Sequence, residues 1–230
     1  MRRPGQLERI KVGAVFVNFR RPDLLVQAVN SLETTHHWRL FVIDNATLKL
    51  PSLAAAWNRG IEAAVAWGAG RILVSNDDVL FHPCTIDHLV ERAVLKDYGF
   101  LCPTDVAKEQ GLDPAGLASL APPSDGVDRF EANYSCFMLS PSLYDEIGPF
   151  DEGFTPAYFE DTDYNFRLGL AGLPGTTTTY APYFHYGGAS GGPPPGSADR
   201  NRRRFIEKWK DTVPWAEAFA RTGGLMSDGG

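Results

Sequence analysis

Three short, largely apolar segments alternate with helical patterns in the first half of this chain, and they constrain its fold more than any other feature. The segments are residues 12–17, 39–43 and 71–75, each as long as a typical strand. A nearly continuous apolar run predicts a strand that is buried on both faces, as in a parallel sheet. Residues 22–32 and 53–67 carry apolar side chains at helical spacing. The alternation predicts an α/β fold with a mostly parallel central sheet and flanking helices.

The second half of the chain is less regular. Residues 105–128 lose all periodicity and are rich in Gly, Pro and Ser, which predicts a long loop. Further patterns predict helices beginning after Pro83 and at 142–147, 160–170 and 203–209, and strands at 100–102, 132–139 and 176–183. The Gly- and Pro-rich segment 187–196 is predicted to be flexible or a lid. We therefore expect a Rossmann-like N-terminal half beside a smaller α+β portion.

Composition limits the class of protein. The 230 residues suit one or two domains, and a net charge of −6 gives no general attraction for nucleic acid, although residues 200–204 include a basic cluster of four arginines. Such a run is more often a solvated helix face than a phosphate site. The three widely spaced cysteines suggest buried thiols in a reducing compartment. The early apolar run is shorter than the ~18 residues of a membrane span, so a soluble, cytoplasmic protein is expected.

Polar side chains stand where each of the three predicted strands ends. Asn18, Asp44 and the pair Asp77-Asp78 follow these strands directly. Ligands of open parallel sheets bind outside the carboxyl ends of the strands, so a site is expected here. One carboxylate of the pair could hold a divalent cation, although Asp and Asn are also ordinary turn residues. His185, at the end of a later strand, could complete a metal site with Asp78, or be a structural histidine.

A second acidic cluster lies where the helical pattern at 160–170 begins. Glu160, Asp161 and Asp163 would all fall in the first turn of that helix. Acids there can simply complement the helix dipole and cap free amides. Alternatively, one of them removes a proton from a substrate hydroxyl, and Asp161 is the candidate. Tyr158 and Trp209 could stack on a sugar or base, but core packing is at least as common for aromatics.

Six motifs, taken in order, resemble the signature of family 2 glycosyltransferases with the A-type fold. They span about residues 10–210. Each is weak alone, but their order and spacing make the resemblance specific. The motifs are Asn18-Phe19-Arg20-Arg21-Pro22, Val42-Ile43-Asp44-Asn45, Trp57-Asn58-Arg59-Gly60-Ile61, Asn76-Asp77-Asp78-Val79, the segment from Gly148-Pro149-Phe150-Asp151-Glu152 to Phe159-Glu160-Asp161-Thr162-Asp163, and His185.

The resemblance implies a single A-type domain that works as an inverting, hexosyltransferase-type enzyme with a nucleotide-diphospho-sugar donor, a hydroxyl-bearing acceptor and Mn²⁺ or Mg²⁺. It also implies roles for individual residues. Asn18, Asp44, Asn58 and Asp77 would bind the nucleotide-sugar, and Asp78 and His185 would bind the metal. The chemistry of the transfer adds Arg20 on the nucleotide-sugar side and Asp161 as the general base. Glu160, next to the base, and Asp163 would position the acceptor or hold the helix start, with Tyr158 and Trp209 on the acceptor side. The family's spaced acidic motif is Asn76-Asp77-Asp78 here, which leaves open whether Asn76 or Asp77 meets the ribose.

The implied organisation places the glycosyltransferase domain at residues 10–210, with a nucleotide-sugar half at 10–104 and an acceptor half at 129–210. Residues 1–9 would be an N-terminal extension and 211–230 a C-terminal tail. Two alternatives stay open. One is a transferase that acts on a hydroxylated nucleobase in DNA, using the arginine cluster. The other is an inactive nucleotide- or sugar-binding module on the same fold. The acceptor can be a saccharide, a lipid-linked sugar or a modified base.

Overall fold

The computed structural model describes residues 9–189 and 191–212. The terminal segments predicted at 1–9 and 211–230 fall almost entirely outside this part. Its strands are β1 (Lys11–Asn18), β2 (His37–Asp44), β3 (Arg71–Asn76), β4 (Val79–Phe81), β5 (Phe100–Asp105), β6 (Asp128–Arg129), β7 (Cys136–Leu139) and β8 (Thr176–His185). Its helices are α1 (Pro22–Ser31), α2 (Asn45–Leu48), α3 (Leu53–Ala66), α4 (Thr85–Leu95), α5 (Val106–Gln110), α6 (Pro114–Ser119), α7 (Pro141–Ile147), α8 (Glu160–Leu170) and α9 (Ser197–Trp209).

The strands form one sheet in the order β2-β1-β3-β7-β5-β8-β4, with β6 paired to β8. The N-terminal strands β2, β1 and β3 are parallel, and so is the pair β5 and β8. Between these parallel groups lies β7, antiparallel to both of its neighbours. The prediction of an α/β fold with a parallel sheet at its core is confirmed. The antiparallel strand β7 joins the two parallel groups, and β4 and β6 pair antiparallel with β8.

Helices cover both faces of the sheet because β1 and β3 are apolar on both sides. One core cluster packs α3 against the sheet, and the other packs α1 and α4 against the opposite face. The approach of α3 is close: a Cβ on Gly60 would lie 2.2 Å from a Val15 methyl group, so a glycine is required there. No helix of the described residues combines the length and apolar character needed to cross a membrane.

An aromatic cluster joins α8 to the same face as α3. Phe150 and Tyr164 stack with ring centroids 3.9 Å apart, and Trp57 and Phe137 pack around Phe150. Buried aromatic pairs contribute about 0.5–1.5 kcal/mol each beyond their buried area. The cluster therefore fixes the acidic start of α8 relative to the strands that carry the polar residues.

Three predictions about local structure are corrected. Residues 105–128, predicted as one long loop, contain α5 and α6, whose N-cap residues are Asp105 and Asp113. Each aspartate caps its helix by accepting a backbone N–H, so capping rather than periodicity defines these short helices. The strand predicted at 132–139 begins only at Cys136, and α9 begins at Ser197 rather than at 203.

Candidate active site

The carboxyl ends of β1, β2 and β3 bring the first group of predicted residues together. Asn18 and Asp44 are register partners at the ends of adjacent parallel strands. The Asp77 carboxylate accepts the backbone N–H of Phe19 at 2.9 Å. With its amide nitrogen turned toward the carboxylate, Asn18 also donates to Asp77 at 3.0 Å. Three of the predicted nucleotide-sugar residues thus lie at one edge of the sheet.

Asp78 meets His185 because β4 pairs antiparallel with the end of β8. Val79 is the register partner of His185, and the Tyr186 N–H donates to the Asp78 carbonyl at 3.0 Å. This pairing leaves Asp78 Oδ1 3.1 Å from His185 Nε2. Burial alone would raise the pKa of Asp78, but its hydrogen bond with His185 and nearby backbone N–H groups give a net lowering. The carboxylate is therefore held ionised.

The separation of these two side chains fits a shared divalent cation. Adjacent ligands of an octahedral ion bound at 2.0–2.1 Å lie about 3 Å apart. Among the described residues, no group of three or more His, Cys, Asp or Glu side chains is arranged to hold a metal. Mg²⁺ typically takes only one or two protein carboxylates, and phosphate oxygens and water complete its shell. One carboxylate and one imidazole are thus a sufficient protein contribution.

A cavity of about 820 Å³ extends from His185 of this pair to Asp161 of the second acidic cluster. His185 and Asp105 line it on the sheet side, and Tyr158, Asp161 and Thr162 line it on the side of α8. The cavity is large enough for a sugar-sized ligand. It brings His185, a predicted metal ligand at the end of β8, and Asp161, the predicted base at the start of α8, to the same space.

Asp161 stands in the first turn of α8, after two residues in an unusual backbone conformation. Tyr158 and Phe159 both have positive φ values, 78° and 74°, which non-glycine residues rarely adopt. Asp161 Oδ1 accepts the Thr162 N–H at 2.7 Å. Burial raises the pKa of Asp161 above its usual range, partly offset by the bonds from Thr162. A raised pKa makes a carboxylate a better proton acceptor.

Glu160 has a different environment from Asp161. Its side chain is buried at 3% exposure, and within the described part of the chain its Oε2 has no hydrogen-bond partner. Burial raises the pKa of Glu160 well above its usual range, and the adjacent Asp161 raises it further. Burial thus favours the protonated form of Glu160, beside a second carboxyl whose pKa is also raised.

The structure gives Asp163 and Trp209 another role than the acceptor contacts we predicted. Asp163 is fully buried and accepts from Arg167 Nε at 3.1 Å and from the Trp209 indole N–H at 2.9 Å. Lys208 Nζ lies 2.7 Å from the same carboxylate. The indole ring packs against Phe166. Both residues attach α9 to α8, and their contact with an acceptor stays a prediction.

Asn58 is also engaged by the protein itself. Its amide oxygen accepts the Phe150 N–H at 2.9 Å, and its nitrogen donates to the Phe150 carbonyl at 2.9 Å and to Glu152 at 3.0 Å. The side chain is 3% exposed. It fixes the loop before α8, and its contact with a nucleotide stays a prediction.

Two residues near the site were not predicted from the sequence. Arg21 Nη1 donates to the Ala189 carbonyl at 2.6 Å, which ties the Gly-rich segment to the end of β1. The pKa of Arg21 is raised mainly by Asp23, with smaller contributions from Asp77 and Asp78. Its neighbour Arg20, the predicted ligand residue, instead lies over the Phe19 ring. Asp105, beside His185, is the second missed residue.

A polar clamp from α9 holds the loop that leads to Asp161. The buried Asn201 Nδ2 lies within hydrogen-bond distance of the carbonyls of Thr155, Ala157 and Tyr158, at 2.9–3.2 Å. Arg204 and Lys208 pair with Asp151 at 3.1 and 2.8 Å. These contacts hold the positive-φ turn in place.

Replacing Asn201 with alanine should therefore destabilise this region. Leaving buried carbonyls unpaired costs about 1–3 kcal/mol, and each kcal/mol lowers the Tm of a domain this size by about 2–4 °C. Thermal unfolding measures the effect, with Arg203→Ala on the exposed face of α9 as the matched control. Equal Tm values for the two variants would contradict the clamp.

Solved structures show which fold this is. No protein-family model and no curated protein matches the sequence. The structure of GalNAc-T7 with UDP, GalNAc and Mn²⁺ superposes with a TM-score of 0.64 at 13% identity, covering 90% of this chain and 49% of that one. TarS of S. aureus, residues 1–349, superposes at 0.62 and 10% identity, covering 94% and 70%. The chain thus spans about half of the GalNAc-T7 chain. The comparison confirms the A-type glycosyltransferase fold.

Proposed function

We propose that this protein is an inverting, metal-dependent glycosyltransferase that moves a sugar from a nucleotide-diphospho-sugar to an acceptor hydroxyl. The observation that carries the proposal is the single cavity lined by both His185 and Asp161. His185 contacts Asp78, which follows the strand end proposed for the donor, and Asp161 is the candidate base. The fold shared with GalNAc-T7, a structure containing UDP and Mn²⁺, supports the same donor class.

In this proposal the edge formed by β1, β2 and β3 binds the donor. Asp44 hydrogen-bonds the base, Asn18 lies on the nucleoside or phosphate side, and Asp77 meets the ribose. Asp78 and His185 would hold Mn²⁺ or Mg²⁺, which, when bound, stabilises negative charge on the leaving nucleoside diphosphate. Arg21 adds a positive charge near the same carboxylates.

Asp161 takes the proton of the acceptor hydroxyl as that oxygen bonds to the anomeric carbon and the bond to the diphosphate breaks. Because the acceptor enters opposite the leaving group, one displacement inverts the configuration. Burial raises the pKa of the adjacent Glu160, which reduces the negative charge beside Asp161. Tyr158, 48% exposed at the cavity wall, is placed to contact the acceptor.

The arginine cluster does not favour a DNA acceptor. Arg200 donates to the Thr155 carbonyl and Arg204 pairs with Asp151, so both are engaged in holding the loop before α8. Arg202 lines the cavity. These arginines thus make separate contacts and do not form one basic surface. All three cysteines are unpaired, which suits the reducing cytoplasm proposed as the location.

Thermal shift with nucleotides tests the proposal. Nucleoside diphosphates and their sugars are added with and without Mn²⁺, and the protein's Tm is measured. A ligand at 100 times its Kd stabilises by about 2.7 kcal/mol, which corresponds to a rise of about 5–11 °C for a domain of this size. We expect one nucleotide to give this shift only with Mn²⁺. If no nucleotide changes the Tm under either condition, the proposed donor site is wrong.

A further inference from the structure

Asp105 is a buried carboxylate at the proposed site that has no role in the mechanism above. It is the last residue of β5, with 7% of its surface exposed, and it lines the same cavity as His185. The sequence pattern predicted that β5 ends at 102, which left this residue in a loop. A buried carboxylate beside a candidate metal ligand calls for a specific explanation.

The position of Asp105 follows from how β5 and β8 pair. Their parallel register runs from Leu101 to Pro103 and then shifts, so that Asp105 becomes the partner of Tyr183. The shift brings the end of β8 alongside the end of β5. As a result, the His185 N–H donates to Asp105 Oδ1 at 3.3 Å.

The two oxygens of Asp105 have different neighbours. Oδ1 accepts the N–H of His185 and, at 3.1 Å, the N–H of Ala107, which caps α5. Oδ2 faces the His185 ring, 3.9 Å from Nδ1. The imidazole is therefore placed between two carboxylates, because its Nε2 lies 3.1 Å from Asp78 Oδ1.

This arrangement matches what a metal-binding histidine needs. A neutral imidazole offers a lone pair on one nitrogen only, and the other carries the proton. Without a cation the nearer carboxylate, Asp78, faces Nε2 at 3.1 Å; with a cation on Nε2 the ring proton is confined to Nδ1, which Asp105 Oδ2 faces at 3.9 Å. Carboxylates in this outer position orient the ring and strengthen binding, and their loss typically costs 10–100-fold in metal affinity.

We propose that Asp105 is a positioning residue for the cation site: it anchors the backbone of His185 and sets its ring so that Nε2, together with Asp78, binds a divalent metal. The inference rests on the proposed function, since it assumes that Asp78 and His185 bind the metal. Asp105 itself does not touch the cation or the substrate in this role.

Mn²⁺ binding to the full chain tests this role without any sugar transfer. The probe is Mn²⁺ alone, and the free ion is measured by electron paramagnetic resonance. In Asp105→Asn, the amide oxygen can still cap α5 and accept from His185, because asparagine is as good a cap as aspartate. Only the negative charge facing Nδ1 is lost. We expect Mn²⁺ to bind 10–100-fold more weakly than to wild type.

Asp113→Asn is the matched control, since Asp113 caps α6 in the same way through a 2.7 Å bond to Gly116 N–H, away from the metal pair. It should bind Mn²⁺ like wild type. Asp78→Asn, which removes a proposed ligand, should lose binding. If Asp105→Asn binds Mn²⁺ within twofold of wild type while Asp78→Asn does not bind, the role of Asp105 is wrong and the cation site stands. If wild type binds no Mn²⁺, the site and this inference both fail.

Discussion

Replacing Asp161 with asparagine is expected to slow sugar transfer by about 10²–10⁴-fold, the range that a positioned general base typically contributes. Asparagine keeps the shape of the side chain and an oxygen that can accept the Thr162 N–H, but it cannot take a proton. Asp78 and His185, the proposed metal ligands, are unchanged in this variant, so metal-dependent stabilisation by the nucleotide should be the same as in wild type. Initial rates of nucleoside diphosphate release, measured beside thermal shifts, separate the two effects.

Asp125→Asn is a suitable control, because Asp125 is an exposed loop residue outside the residues that line the cavity. It should transfer at the wild-type rate. Transfer by Asp161→Asn at that same rate would show that another group is the base. Loss of nucleotide binding together with transfer would instead indicate a structural role for Asp161.

The pH dependence of the transfer rate tests the role of Asp161 in a second way. Burial raises the pKa of Asp161, and only its ionised form accepts a proton. The rate should therefore fall tenfold per pH unit on the acid side, with a midpoint above the usual aspartate value of about 3.9. The acid limb should be missing from the residual activity of Asp161→Asn. An unchanged limb in that variant would assign the titration to a different group.

Replacing Asp78 with asparagine should give the second large effect, with the opposite division between binding and chemistry. If the cation contributes about 4 kcal/mol to the transition state, its loss slows transfer about a thousandfold. Here the metal-dependent part of nucleotide binding should disappear as well, because the ligand that holds the ion has been weakened. Titrating Mn²⁺ at fixed nucleotide, with the Tm as the signal, measures this directly.

The contrast between the two variants is the sharper test. Asp161→Asn should keep the Mn²⁺-dependent shift and lose transfer, whereas Asp78→Asn should lose both. A chelator added to wild type should reproduce the Asp78→Asn behaviour. A wild-type rate that is unaffected both by chelation and by Asp78→Asn would mean that the chemistry proceeds without a cation at this pair.

The parts of the fold that sequence could predict are those in which local pattern and tertiary environment agree. Strands β1 and β3 are buried on both faces, so their composition alone marks them, and parallel geometry then places Asn18, Asp44 and Asp77 at one edge. Strand β4 is only three residues long and stands next to a polar turn. It exists because it pairs with β8, which no local pattern reveals.

The same distinction explains the candidate site. Asp161 could be identified because its motif is local, whereas Asp105 depends on a register shift between β5 and β8. The protein partners of Asn58 and Asp163 could not be predicted: Asn58 bonds to Phe150, 92 positions away, and Trp209 bonds to Asp163 across 46 positions. A polar side chain that has no hydrogen-bond partner among its sequence neighbours can gain one from a distant residue once the chain folds.

The buried carboxyl of Glu160 has a consequence for the balance between folding and activity. Because its pKa is raised in the folded chain, proton binding at this position is linked to folding. The stability it contributes is fully present below its unfolded pKa and is lost as pH rises toward the raised value. Asp161 is an effective base only when it is ionised, and ionisation is favoured by a higher pH. Low pH therefore favours the folded form through Glu160 and suppresses the reaction through Asp161. As a result, the first turn of α8 stabilises the protein least at the pH values at which the enzyme is most active.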